Sequence, residues 1–586
     1  MNREKLNSRT TGWLMTIVLL SLASTGWAKV IYVDDDAVAP GDGTSWATAY
    51  RYLRDALADA TVPGEPVEIR VAQGTYVPDQ SAADPEGTGD DYATFELIDT
   101  MSLLGGYSGV CGADANDRDI EEFEVVLSGD LIGDDAEVTD VTLLQSEATR
   151  RDNARVIVSI TGDGVLLEGF TIVGATRSGV EVPAGAAHTM VRHCHFRGNR
   201  GNQVDFNASA GALTAYGEGL VVASCSFVGN TGSVGAVRAD GQSLQDCLFT
   251  GNYGWGVGGG GVGRHYGGTF TDCVFEDNRA RRSGGALYFN GGHSTLRRCI
   301  FRDNVAGTYG GALGCLHGNV RLSDCLFVGN RAETIGGACV HLSADAIAVN
   351  CLFVGNQAVD YGGGYVVREK GALNLVNCTV AGNRAPEAEF LWSDYYLDET
   401  ESYVKLMNCV LVSEGSQIFS TGSRIVMTHT CLGEPVGFQI DTDEWLVLGE
   451  GNITVDPCLV DVGSWDDNGT ADDPNDDVFV EGDYHLKSQA GRWDEESESW
   501  VQDDVTSPCI DAGDPNSPIM VEPFPNGGVI NMGAYGGTAQ ASKSYFGEPL
   551  CETIIAGDIN GDCRVDVADV ILLLDHWLET GAKADE

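Results

Sequence analysis

The run Cys299-Ile300-Phe301-Arg302-Asp303-Asn304, followed by Gly310-Gly311-Ala312 and then Cys325-Leu326-Phe327-Val328-Gly329-Asn330, holds one full period of this chain. The pattern Cys-x-Phe-x-x-Asn occurs at Cys194/Phe196/Asn199, Cys225/Phe227/Asn230, Cys247/Phe249/Asn252, Cys273/Phe275/Asn278 and Cys299/Phe301/Asn304. It recurs at Cys325/Phe327/Asn330 and Cys351/Phe353/Asn356, decays to Cys378/Val380/Asn383, and fades at Cys409 and Cys431. From Cys247 to Cys351 every step is 26 residues. About half a period away lie Gly284-Gly285-Ala286, Gly310-Gly311-Ala312, Gly336-Gly337-Ala338 and Gly362-Gly363-Gly364. Self-similarity at a fixed period of this length is the mark of a solenoid.

Each unit is rich in Gly, Val, Phe and Thr and lacks an apolar stripe of period 3.6, which excludes a helical repeat. Ala312 to Asn330 reads as short apolar strands broken by Gly, Asn and Asp. The expectation is an all-β right-handed parallel β-helix of roughly ten or more coils, stacked at the strand spacing of about 4.8 Å. Equivalent residues then form columns. Phe fills the core, Asn forms an amide ladder, and the paired Gly serve a bend that a Cβ would forbid. The Cys column suits reduced apolar filler better than disulfides, because stacked side chains point the same way and fit the bridging dihedral poorly. One Cys per coil lacks the clustered spacing of a zinc site.

The pairing of Gly-Gly-Ala with Phe-x-x-Asn, over residues 190 to 385, resembles the repeat of chlamydial polymorphic outer-membrane proteins, which are adhesins. The architecture also resembles secreted right-handed β-helix proteins of planctomycetes and, more distantly, pectate lyases. These resemblances imply fold more strongly than activity.

Charge and composition narrow the partners. The 586 residues carry a net charge of −51 and a pI near 4.3, which argues against nucleic acid and anionic membrane surfaces. No lysine occurs between Lys29 and Lys370. Residues 1–28 have the makings of a secretory signal: Arg3, Lys5 and Arg9, an apolar core from Trp13 to Ala23, then Gly26-Trp27-Ala28. No later stretch is apolar enough to span a bilayer as a helix.

Residues 29–160 are expected to be an N-terminal cap and irregular first coils. Ile31-Tyr32-Val33 is a strand, and Ser45 to Ala60 carries Trp46, Tyr50, Leu53 and Leu57 at helical spacing, suited to covering the open end. Residues 111–155 are acidic and without phase. Residues 161–460 form the regular solenoid, and 461–548 an acidic closing segment. Within it, residues 461–504 hold fifteen Asp or Glu against Lys487 and Arg492. Asp466 to Asp473 has the look of a calcium-binding loop, but reads first as a solvated acidic loop. Ser507 to Asp514 and Asn531 to Gly537 resemble the closing segment of planctomycete β-helix proteins and should pack as extended loop on the last coils. Cys458 and Cys509 are candidates for a bridge.

Residues 549–586 contain the sharpest motif. Asp558, Asn560, Asp562, Arg564 (through its carbonyl), Asp566 and Asp569 stand at EF-hand positions 1, 3, 5, 7, 9 and 12. Val570, Leu573, Leu574 and Trp577 make the apolar stripe of a following helix. The segment resembles a type I dockerin repeat, implying calcium and a cohesin-like or envelope partner. It departs from that family in having one loop rather than two, and Cys563 at position 6 where EF-hand loops use Gly. A Cys551–Cys563 bridge would offset the strain.

For function, the strand after each Gly-Gly turn carries Arg238, Arg264, His265, Tyr288, His317, His341 and Arg368. In-register stacking would make of them a basic and aromatic groove for a polysaccharide or cell-surface glycan; the alternatives are surface decoration, or His packed in the core. No stacked Asp pair of polygalacturonase type is visible. The leading expectation is a secreted or cell-surface, polysaccharide-associated β-helix, catalytic as lyase or hydrolase or only binding. A non-catalytic adhesin or structural envelope protein is the alternative.

Overall fold

A computed structural model describes residues 28–547, except 39–40, 62–64, 203–208, 217–218, 257, 395–401, 414, 422, 434–436, 441–444 and 471–475, and also residues 565, 567 and 570. Three parallel sheets of 15, 14 and 13 strands wind into one right-handed β-helix. Sheet 1 runs from Lys29–Val33 to Leu446–Leu448. Sheet 2, from Gly74–Tyr76 to Ile453–Thr454, contains the strands after each Cys. Sheet 3, from Phe95–Leu97 to Gly437–Ile440, contains the strands after each Gly-Gly turn. A narrow sheet 4 of six two-residue strands, Thr231–Gly232 to Gln357–Ala358, follows the Asn column.

The columns fall where the period puts them. Phe196, Phe227, Phe249, Phe275, Phe301, Phe327 and Phe353 stack at centroid distances of 4.6–5.0 Å with rings within 10° of parallel. The coil spacing sets that distance, and each ring is buried. The Asn amides form an unbroken ladder from Asn199 to Asn383. Asn304 Nδ2 donates to Asn330 Oδ1 at 2.9 Å and to the Phe275 carbonyl at 2.9 Å. The backbone N–H and Nδ2 of Asn278 both donate to Asn304 Oδ1. Buried polar groups are thus fully paired where a side chain turns inward at a bend. Gly310 and its equivalents have φ of 65–70°, and a Cβ on Gly311 would collide with the carbonyl oxygen of Gly337.

Among the described residues every cysteine is a free thiol, and the column members are buried. Each Sγ points at backbone carbonyls, as Cys299 does toward Phe270 O and Arg297 O. Burial pushes the thiols of Cys225, Cys273, Cys325 and Cys351 well above their usual range. Cys458 and Cys509 are not bridged to each other. Cys509 lies in an apolar cluster with Cys431, whereas Cys458 is half-exposed.

The N-terminal helix is shorter than its spacing suggests, covering Leu53–Asp59 with a separate 3₁₀ turn at Trp46–Thr48. Tyr50 is the cause. Its backbone pairs with Tyr32 and Asp34 and so caps the free edge of the first strand. Trp46 packs against Tyr32 and Tyr107 instead. From the unphased region, Val125–Ser128 joins sheet 2, and residues 129–155 leave the coil as an excursion. The closing segment runs along the flank. Leu459, Tyr484, Leu486, Ile510 and Met532 cover the outward Val328, Val354, Ala381 and Val410 of sheet 2. The amides of Asn350 and Asn377 bind the carbonyls of Ala534 and Gly536.

Candidate functional site

The outer face of sheet 3 is where the sequence-based candidates fall, and it divides them. Tyr288 points outward in a column that continues through Gly314, Val340, Val366, Trp392 and Phe419. Arg368 is outward two positions further along its strand, and Arg238 lies on the same face three coils earlier than Gly314. His317 is at the corner beyond the strand Leu313–Leu316, in a shallow groove with His293, Asn319, Ser343 and Asp345. Arg264 and His265 are in the strand Val262–His265, and their side chains lie outside the described residues.

His341 leaves the set. It is fully buried, in the inward column Phe289–Cys315–His341–Val367, and its Nε2 hydrogen-bonds the Tyr365 hydroxyl at 3.0 Å. Burial pushes its pKa down to about 3, so the ring is neutral. One residue of alternation separates this column from the outward one.

The expected basic character is also absent from the arginines that are described. Arg368 Nε donates to Asp394 Oδ1 at 2.7 Å, and Arg238 pairs with Asp240 at 3.2 Å while lying 4.6 Å over the Tyr216 ring. What dominates the face is aromatic. Trp392 and Phe419 stack at 3.9 Å with an interplanar angle of 4°, and Tyr361 joins Trp392 at 4.2 Å. Tyr361 comes from the turn column Ser283–Tyr309–Ile335–Tyr361, and its hydroxyl accepts from Arg368 at 3.4 Å. Three rings, two stacked face to face and the third tilted by 32°, form an aromatic strip along the solenoid axis, edged by a neutral ion pair. Among the described residues the indole N–H of Trp392 has no acceptor.

Tyr361, Trp392 and Phe419 went unnoticed in the sequence reading, although a signal existed. Trp392 is four periods of 26 residues after Tyr288, but the Gly-Gly landmark has decayed there. A second group was also missed. At the bend after the sheet 2 strand Ile300–Arg302, desolvation and the carboxylates of Asp277, Glu276 and Glu481 push the Asp303 carboxyl up to about 6. Arg302 ion-pairs with Glu481 of the closing segment at 2.8 Å beside it.

The expected C-terminal ligands, Asp558, Asn560, Asp562, Arg564, Asp566 and Asp569, lie outside the described residues, as do Cys551, Cys563 and residues 1–27 of the expected signal. Asp466 and Asp467 are exposed and cap their own turn. No helix among the described residues is long and apolar enough to cross a membrane.

Comparison with known proteins agrees with the winding. The family described as "right handed beta helix region" matches residues 133–307 and 233–384. The repeat is that of a right-handed β-helix. A second family, described as "disaggregatase related", matches residues 465–513 within the β-helix protein's closing segment. No curated protein matches the chain. Similar solved structures include pectate lyase Pel9A, with 13% identity, a TM-score of 0.32 and coverage of 87% of this chain and 96% of that one. Another is the catalytic unit of a GH87 α-1,3-glucanase from Streptomyces thermodiastaticus strain HF3-3, at 11%, 0.30, 72% and 68%. A third is tailspike protein 3 of bacteriophage CBA120, at 10%, 0.28, 81% and 69%. At these identities and scores the likenesses carry no assignment of ligand or chemistry to this β-helix.

Proposed function

We propose that this protein is a secreted or cell-surface β-helix that binds a polysaccharide along the outer face of sheet 3. The observation that carries the reading is the parallel stack of Trp392 on Phe419, extended by Tyr361. Stacked on one another, the rings turn their edges outward as an apolar ridge along the axis, against which the C–H faces of successive sugar residues can pack. The Arg368–Asp394 pair at the edge of the strip supplies a donor and an acceptor for hydroxyls. A net charge of −51 disfavours polyuronates and favours a neutral glycan. In this reading the leader directs export, and the C-terminal loop takes calcium and attaches the solenoid to an envelope or cohesin-like partner.

A hydrolytic role has one specific observation in its favour. Asp303, raised to about 6 among Glu276, Asp277 and Glu481, is suited to act as a general acid. It stands on a different face from the aromatic strip, so binding and hydrolysis are separable.

The test is affinity electrophoresis of the full chain on a panel of neutral and uronic polysaccharides, with reducing ends assayed in parallel. Retardation by a neutral glycan, weakened about tenfold in Trp392→Ala and in Phe419→Ala, is expected from loss of a stacking contact worth about 1–2 kcal/mol. Retardation unchanged in both variants would place the site elsewhere. Reducing ends that disappear in Asp303→Asn would establish the hydrolytic reading.

A further inference from the structure

The excursion 129–155 closes on itself at a narrow neck. Gly129 N donates to Val173 O at 2.8 Å, and Ala154 N donates back to Gly129 O at 2.8 Å. Residues just inside the two ends therefore face each other. From the outgoing side come Asp130, Asp134 and Asp135, each with one carboxylate oxygen within 4.8 Å of those of the other two. The Asp130 carboxylate is folded into this turn by the N–H groups of Gly133 at 2.7 Å and Asp135 at 3.1 Å. From the returning side come Asp152 and Asn153.

Three oxygens at this neck are buried with no donor: Asp135 Oδ1, Asp152 Oδ2 and Asn153 Oδ1. Asn153 is 1% exposed. Its Nδ2 is already committed, donating to Asp135 Oδ2 at 3.0 Å and Gly174 O at 2.7 Å, so the amide orientation is set and Oδ1 is left as an acceptor beside the carboxylates. Arg150 lies 3.7 Å from Asp135 Oδ2 and gives a hydrogen bond to Gly198 O at 2.6 Å, leaving Asp135 Oδ1 unanswered. Of the guanidinium groups near the neck, Arg150 is within ion-pair distance of Asp135, and Arg200 acts on it from further away. Desolvation, then Asp152 and Asp130, raise the Asp134 carboxyl, the direction expected when like charges crowd without a counter-ion. Buried acceptors left unpaired cost free energy unless something fills them.

We propose that Asp130, Asp134, Asp135 and Asp152, with the side-chain carbonyl oxygen of Asn153, bind a calcium ion that staples the neck of the 130–153 excursion. The donor set is all oxygen, mostly carboxylate and irregular in sequence spacing, which suits the six to eight flexible ligands of calcium better than the strict octahedron of magnesium. The consequence is mechanical. The excursion lies across the next coils, where Arg200 donates to Gln145 O at 3.1 Å and to Arg150 O at 2.6 Å, and Gln145 donates to Gly201 O at 3.1 Å. Closing the neck fixes this strap against the flank of the first regular coils.

The experiment uses the full chain carrying Asp558→Asn and Asp562→Asn, which removes the C-terminal loop as a competing site. Calcium is titrated calorimetrically, with magnesium as control, and cleavage within 130–153 by a protease is followed with and without calcium. One calcium site is expected, weakened at least tenfold when Asp134→Asn and Asp152→Asn are added, with calcium slowing cleavage several-fold only in the parent. Asp134 is exposed, so Asp134→Asn alone tests the site without risk to folding and should itself weaken binding. No calcium binding in the parent, or binding and protection unchanged by these substitutions, would overturn the proposal.

Discussion

At the scale of the residue, the β-helix decides chemistry by parity. His341 and Val340 are neighbours in sequence, yet one is sealed in the core against Tyr365 and the other faces outward beneath Ile335. The buried His341 has a direct consequence for acid stability. Its folded pKa of about 3 is depressed below the unfolded value of about 6.5. The unfolded chain therefore takes up a proton first as pH falls. The stability that neutral His341 permits is complete above about pH 6.5 and is lost progressively toward pH 3, on the order of 5 kcal/mol at the acid end. His341→Gln keeps a partner for the Tyr365 hydroxyl but does not titrate. The difference in unfolding free energy between parent and variant should shrink steadily between pH 7 and pH 4, as measured by urea titration. A pH-independent difference would show that His341 titrates in the folded protein as it does in the unfolded chain.

At the scale of the element, the amide ladder ties the coils together at a bend that would otherwise bury unpaired polar groups. Asn304→Asp keeps shape and still accepts from Asn278, but places a carboxylate against Asn330 Oδ1 and Phe275 O, where donors are required. It should cost about 3 kcal/mol or more, and Asn304→Ala about 2 kcal/mol, read as lowered urea midpoints at pH 7. An unchanged midpoint for Asn304→Asp would mean that the ladder does not bind adjacent coils. The ladder and the Phe stack were legible from 26-residue spacing alone, because a stacked coil turns every sequence period into a spatial column. The short helix was less legible. Helical spacing of Trp46, Tyr50, Leu53 and Leu57 could not reveal that the Tyr50 backbone would be claimed by a strand edge.

At the scale of the whole molecule, the closing segment turns back along sheet 2 and hides one face of the solenoid, while sheet 3 keeps its aromatic strip. A chain stopped at Asp456 would uncover Val328, Val354, Ala381 and Val410. It should bind a hydrophobic dye several-fold more strongly than the parent and self-associate, as measured by dye fluorescence and sedimentation. Dye binding equal to the parent would mean that those side chains are covered by something other than residues 457–547. The same topology separates the aromatic strip on sheet 3 from Asp303 at its sheet 2 bend and from the excursion neck near the N-terminus, so the three sites can be tested by independent variants.

The sequence by itself determined the winding, the period, the core columns and the acidic charge, since each follows from local spacing and composition repeated many times. It also placed Tyr288 and Arg368 on the correct strands. Only the tertiary structure decided which side of those strands each residue faces, which cations are already neutralised, and where Trp392 and Phe419 meet. Those outcomes depend on register where the landmarks have decayed, and on a closing segment and an excursion whose contacts lie up to 186 residues apart in the chain. A repeat encodes its own stacking. It does not encode what is laid across its flanks, because those contacts are made once and leave no period to read.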